Sequence, residues 1–112
     1  MKRYNIFELK ETRIERHPLT FWVMVIRDLS LEKYRVECCM HLHTVLKRIS
    51  AYDTLLYVRA FADMHIAIGH KLFLESLSMH SMERWIRCEN PDEEDLSTEM
   101  EKYSINQINK EQ

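Results

Sequence analysis

Hydrophobic residues recur along this chain in runs whose spacing predicts its elements. The longest run lies between Asp53 and Leu77. Tyr57, Phe61, Met64, Ile68 and Leu72 stand three or four residues apart, which is one face of an α-helix. Leu55, Val58, Ala62, Ile66 and Phe73 widen that face, and the polar positions left are few: Arg59 with Asp63, His70, and Lys71 with Glu75. With Asp53 in front as an N-cap, the stretch reads as one long helix. A helix apolar nearly all round belongs in an interior. A chain of 112 residues has few elements with which to surround it. The pattern therefore predicts a protein interface on Tyr57, Phe61, Met64, Ile68 and Leu72, covered by a second copy or by another protein. The alternative cover is the chain's own helices and sheet.

The flanking segments are shorter. Thr20 to Ile26, TFWVMVI, is made almost wholly of β-branched and aromatic residues and reads as a buried strand. In residues 2–16, Phe7 and Leu9 alternate with polar neighbours, a strand pattern, and His17-Pro18 breaks the run. Together these predict an antiparallel hairpin across residues 3–28. In the alternative, an all-α bundle, Pro18 opens a helix with Leu19, Trp22, Val23, Ile26 and Leu29 on one face.

Ser30 to Ser50 carries two patterns at once. Tyr34, Val36, Cys38, Met40 and Leu42 alternate as in a strand. Leu31, Tyr34, Cys38, Leu42, Val45 and Ile49 follow helical spacing over a longer span, and length favours the helix. A turn at residues 50–52 then lays it antiparallel to the central helix.

Beyond Leu77, a third helix with Met79, Met82, Trp85 and Ile86 on one side and Ser81 as cap runs to about Asn90. Asn90-Pro91-Asp92-Glu93-Glu94 reads as the start of a last helix, which has Leu96, Met100 and Tyr103 to bury. The predicted fold is α+β and mainly helical, an N-terminal antiparallel β-hairpin followed by three to four helices. Residues 1–90 form a compact domain, and 91–112 an acidic C-terminal helix or tail.

Composition narrows the function classes. One glycine and two prolines argue against phosphate-cradling loops and against an all-β meander. The net charge of −2 gives no general reason to expect nucleic acid. The charge is uneven, however. Lys and Arg outnumber Asp and Glu ten to six in residues 1–50, a balance of +4, and are outnumbered two to eight in residues 89–112, a balance of −6. A strand followed by two helices is similar in outline to ribbon-helix-helix repressors. Here the strand is apolar where such a repressor presents polar side chains to the groove.

Three cysteines, two of them adjacent, do not make a disulfide framework. The first residues lack an apolar signal core, and no apolar run reaches membrane-spanning length. A cytoplasmic setting is the expectation.

The residues able to carry chemistry form no strong motif. Cys38, Cys39, His41 and His43 lie close together, and His65 or His80 would complete a four-ligand zinc site. No C-x-x-C, no H-E-x-x-H and no nucleophile elbow is present, so no catalytic, cofactor or metal residues are assigned. Seven methionines and two tryptophans supply the adaptable apolar groups that suit binding surfaces. The expectation is a non-enzymatic protein-binding or regulatory module, self-associating as a homodimer through the central apolar helix. A small Cys/His metal-binding protein and a repressor-like DNA-binding dimer are the alternatives.

Overall fold

The computed structural model describes residues 20–49 and 51–102. The fold is α+β. Three strands, β1 (Phe21–Asp28), β2 (Lys33–Cys39) and β3 (Asp53–Phe61), form an antiparallel sheet in the order β2-β1-β3. Helices α1 (Leu42–Arg48), α2 (Met64–Glu75) and α3 (Met79–Glu89) and a further helical stretch over residues 97–102 pack around it.

β1 is the apolar run read as a strand, and its position explains its composition. It is the middle strand, and Trp22 through Ile26 are all fully buried. Trp22, Met24 and Ile26 pack on one face with Leu42, Val45 and Leu46 of α1 and with Leu96 and Met100. Val23 and Val25 pack on the other with Ala67 and Leu74 of α2 and Met82 and Ile86 of α3. A strand covered on both faces has no polar side to show.

β2 pairs with β1 in a hairpin that sets Val25 opposite Val36 and closes at Asp28 opposite Lys33. Asp28 shapes the loop: one carboxylate oxygen accepts from the N–H groups of Ser30 and Leu31 and from the Ser30 hydroxyl. These bonds hold the Asp28 carboxyl below its ordinary value. The predicted helix over Ser30–Ser50 is thus overturned. Tyr34, Val36 and Cys38 alternate because they point to the α2–α3 side, and only Leu42–Arg48 is helical. The predicted strand at residues 2–16, and with it the hairpin across residues 3–28, lies outside the described residues.

The long central helix is also overturned. Asp53–Phe61 is β3, and the helix begins only after Asp63, so Asp53 caps nothing. Two features hid the strand. β3 is buried on both faces over Leu55–Val58, so it too is apolar nearly all round. Its pairing with β1 also contains a bulge: Val25 faces Tyr57 and Ile26 faces Leu55, leaving Leu56 between them. Leu56 and Tyr57 therefore share a face, and the period of two is lost.

The bulge is secured from outside the sheet. Asn90, buried at the end of α3, donates from Nδ2 to the Leu56 carbonyl (3.1 Å) and to the Glu94 carbonyl (2.9 Å), and accepts from the Glu94 N–H (3.2 Å). Next along β3, the Leu55 N–H donates to the Asp95 carboxylate (3.1 Å), and the Leu55 carbonyl accepts from the Leu96 N–H (2.8 Å). The predicted helix start at Asn90-Pro91 is corrected accordingly. Asn90 is spent on the edge of β3, Asp95 accepts from the Ser97 N–H and hydroxyl, and the helix starts at residue 97. The predicted third helix is present, capped by Ser78 rather than Ser81; Ser78 accepts from the Ser81 N–H.

Two substitutions test these backbone arguments. Asn90→Leu fills the same space but strips the buried Leu56 carbonyl of its donor; denaturant unfolding should show a loss of about 1–3 kcal/mol. Glu32, the last residue of the hairpin loop, sits at φ 54, in the left-handed region that favours glycine. Glu32→Gly should gain about 1 kcal/mol in the same measurement.

Candidate interaction surface

α2 starts where Asp63 accepts from the N–H groups of His65 (2.7 Å) and Ile66 (3.2 Å), a side-chain cap on the first turn. It ends at Ser76, whose hydroxyl donates to the Phe73 carbonyl (2.6 Å). The helix lies across β2 and β1 and touches β3. It buries only Ala67 and Leu74. Its remaining apolar side chains face solvent: Met64 is 46% exposed, Ile66 60%, Ile68 40%, Leu72 59% and Phe73 48%. Among them are exposed His65 and Gly69, and Lys71 pairs with Glu75 on the flank at 2.8 Å.

The five residues assigned to an interface are thus divided. Met64, Ile68 and Leu72 lie on the outer side of α2. Tyr57 is buried on β3, and Phe61 is half-buried at its end. Ile66 and Phe73, read as widening the helix face, are among its exposed members.

Gly69 stands in the middle of this helix. Glycine there costs about 1 kcal/mol relative to alanine. A Cβ built at Gly69 meets nothing within 4 Å, so no neighbour among the described residues requires its absence.

Under one edge of α2 lies an aromatic cluster centred on His70. Its ring centroid is 5.3 Å from Phe61, 5.8 Å from Tyr57, 5.8 Å from Trp85 and 6.2 Å from Phe73. Tyr57 and Trp85 meet edge to face at 4.5 Å, and the Arg59 guanidinium lies 5.6 Å from the Phe61 centroid. One hydrogen bond of 3.0 Å joins the Tyr57 hydroxyl and His70 Nε2, with the imidazole tautomer deciding which of them donates.

Burial, and then the charge of Arg59, push His70 below its ordinary value. Burial pushes Tyr57 up to about 12 against the opposing pull of Arg59. Both groups are neutral at pH 7. The pair pins α2 to β3.

The Cys/His cluster is dispersed by the sheet. Cys38 packs toward the α2–α3 side and Cys39 toward α1. Among the described residues no group of three His, Cys, Asp or Glu side chains could hold a metal ion. Burial raises both thiols, Cys39 to about 11, which disfavours the reactive thiolate. Cys88 is exposed.

A concavity of about 430 Å³ opens where the end of α2 and the start of α3 meet β2. Its lining includes Val36, Leu74, Leu77 and Met82, with Lys33 and Glu75. Among the described residues no helix is long and apolar enough to cross a membrane. No family model matches the chain, and the comparisons with curated proteins and with solved structures found no match.

His70 gives this region a pH dependence whose sign is set by its lowered value. The unfolded chain takes up the proton at the ordinary value, near 6.5, while burial, and then the charge of Arg59, make the folded chain resist it. Stability is therefore complete above that pH and is lost as pH falls below it. The melting temperature should drop from pH 7 to pH 5, and His70→Gln should flatten that drop while lowering the pH 7 value.

Proposed function

We propose that this protein is a non-enzymatic protein-binding or regulatory module that self-associates through the outward face of α2. The observation that carries this reading is the exposure of five large apolar side chains on one helix of twelve residues, of which only two are buried. Scattered exposed apolar residues need no explanation, but a contiguous set on one helix face marks a docking surface. The aromatic cluster beneath α2 and the side-chain cap at Asp63 hold the helix in place, so the face is preformed rather than assembled on contact. The three free thiols suit a reducing cytoplasm.

Absolute mass from light scattering, across a dilution series, tests the reading. The wild-type chain should run as a dimer that dissociates on dilution. Ile68→Asp, at a position exposed in the single chain, should leave the fold intact by circular dichroism and raise the dissociation constant at least about 30-fold. A wild-type monomer at every concentration, or an Ile68→Asp variant with unchanged dimer affinity, would overturn it.

A further inference from the structure

The chain contains a single glycine, and its placement runs against backbone need. Among the described residues two positions have left-handed backbone, Glu32 at φ 54 and Glu93 at φ 49, and neither is glycine. Gly69 instead occupies the middle of α2, where the backbone asks for nothing special and the space for a side chain is open. What a missing side chain does permit is the close approach of another backbone. Successive residues turn 100° about a helix axis, which sets Gly69 between Ile68 and Leu72 on one side and Ile66 and Phe73 on the other. It is the low point of the exposed apolar face.

We infer that two copies of this chain pack α2 against α2 in the antiparallel sense, with the two-fold axis at Gly69. The inference rests on the reading of α2 as the self-association surface and adds which residues meet. Around that axis each flank meets the same flank of the second copy, so Ile66 faces Phe73 of the second copy and His65 faces Leu72 of the second copy.

The helix dipoles favour this direction: an antiparallel pair sets the N-terminus of each α2 beside the C-terminus of the other, where a parallel pair sets like ends together. Exposed Asp63 and Glu75 at the two ends of α2 do not distinguish the directions, since a centre at Gly69 sets each level with an acidic residue of the second copy either way. Area allows it. Five side chains exposing on the order of 100 Å² each give about 1,000 Å² for two copies, the lower bound of a specific interface. A lipid surface suits the face less well. A helix lying on a membrane carries lysines and arginines along its polar side, and α2 has Lys71 alone.

Sedimentation equilibrium on full-length variants tests the crossing point. Gly69→Ala and Gly69→Leu place side chains in open space, so both should fold, with melting temperatures in dilute solution equal to or above wild type. The dimer should nevertheless weaken, about tenfold for Ala and to a monomer for Leu. If Gly69→Leu dimerises as tightly as wild type while Ile68→Asp dissociates, α2 is the interface but the helices cross elsewhere, and the inference fails. If wild type itself is a monomer, the underlying reading fails first.

Direction is tested by a charge pair. Ile66→Lys and Phe73→Glu should each dissociate the dimer, and the double variant should recover part of the lost affinity, because each new lysine faces a new glutamate of the second copy. No recovery in the double variant would overturn the antiparallel register.

Discussion

The structure depends on covering β1 from both sides. Five consecutive residues of that strand have no contact with water, so the chain must supply an apolar layer above the sheet and another below it. It does so with short pieces. α1 and residues 96–100 close the side of Trp22, Met24 and Ile26, and α2 with α3 close the side of Val23 and Val25. The ion pairs of Arg35 with Asp53 and Glu37, and of Arg48 with Glu37, add ties between β2, β3 and α1. Such partly exposed pairs contribute little compared with the burial beneath them. The bulge at Leu56 follows from the same demand. It puts both Leu56 and Tyr57 on the α2–α3 side, and Asn90 supplies the donor that the displaced Leu56 carbonyl accepts.

How much of this was legible in the residues follows from burial. Phe21–Asp28 was readable because β-branched and aromatic residues crowd into a run too short for a helix. Met79–Glu89 was readable because one side alone is buried and the other is polar. Asp53–Leu77 was not. A strand buried on both faces and a helix with an exposed apolar face are each apolar nearly all round, so the composition runs on without a break across Phe61-Ala62-Asp63-Met64. Asp63 carried the signal, since a carboxylate two and three residues before free N–H groups is a cap; in a continuous helix it reads as half of an i,i+4 pair with Arg59. At Ser30–Ser50 the alternation was the informative pattern. The longer helical stripe was assembled from a strand, a turn and α1, whose Leu42 and Val45 belong to a real but short helix.

The surface was legible for the wrong reason. The apolar excess between residues 53 and 77 predicted a helix in need of a second cover. In the structure the exposed part of that excess belongs to α2, and two of the five residues assigned to the interface, Tyr57 and Phe61, lie on β3 instead. Neither is on the outward face of α2. They hold His70, and His70 holds α2 against β3. Ile66, Phe73 and Gly69 complete the face, and the cue to them was the location of the chain's single glycine within an apolar helix.

α2 is held by few buried residues of its own. Twelve residues make a marginal helix in water, and its direct burial amounts to Ala67 and Leu74. The rest of its hold comes from the Asp63 cap and from His70 among four aromatic rings, neutral because burial and Arg59 both oppose its charge. On the self-association proposed above, a second copy binding only the folded helix would stabilise it further by mass action. The residue that fixes α2 to the sheet is at the same time one whose burial, and then the charge of Arg59, push its protonation below the ordinary value. Protonating His70 therefore acts on the helix that presents Ile66, Ile68, Leu72 and Phe73: burial, and then the charge of Arg59, oppose an imidazolium in that ring of aromatics, of which Phe73 is itself a member.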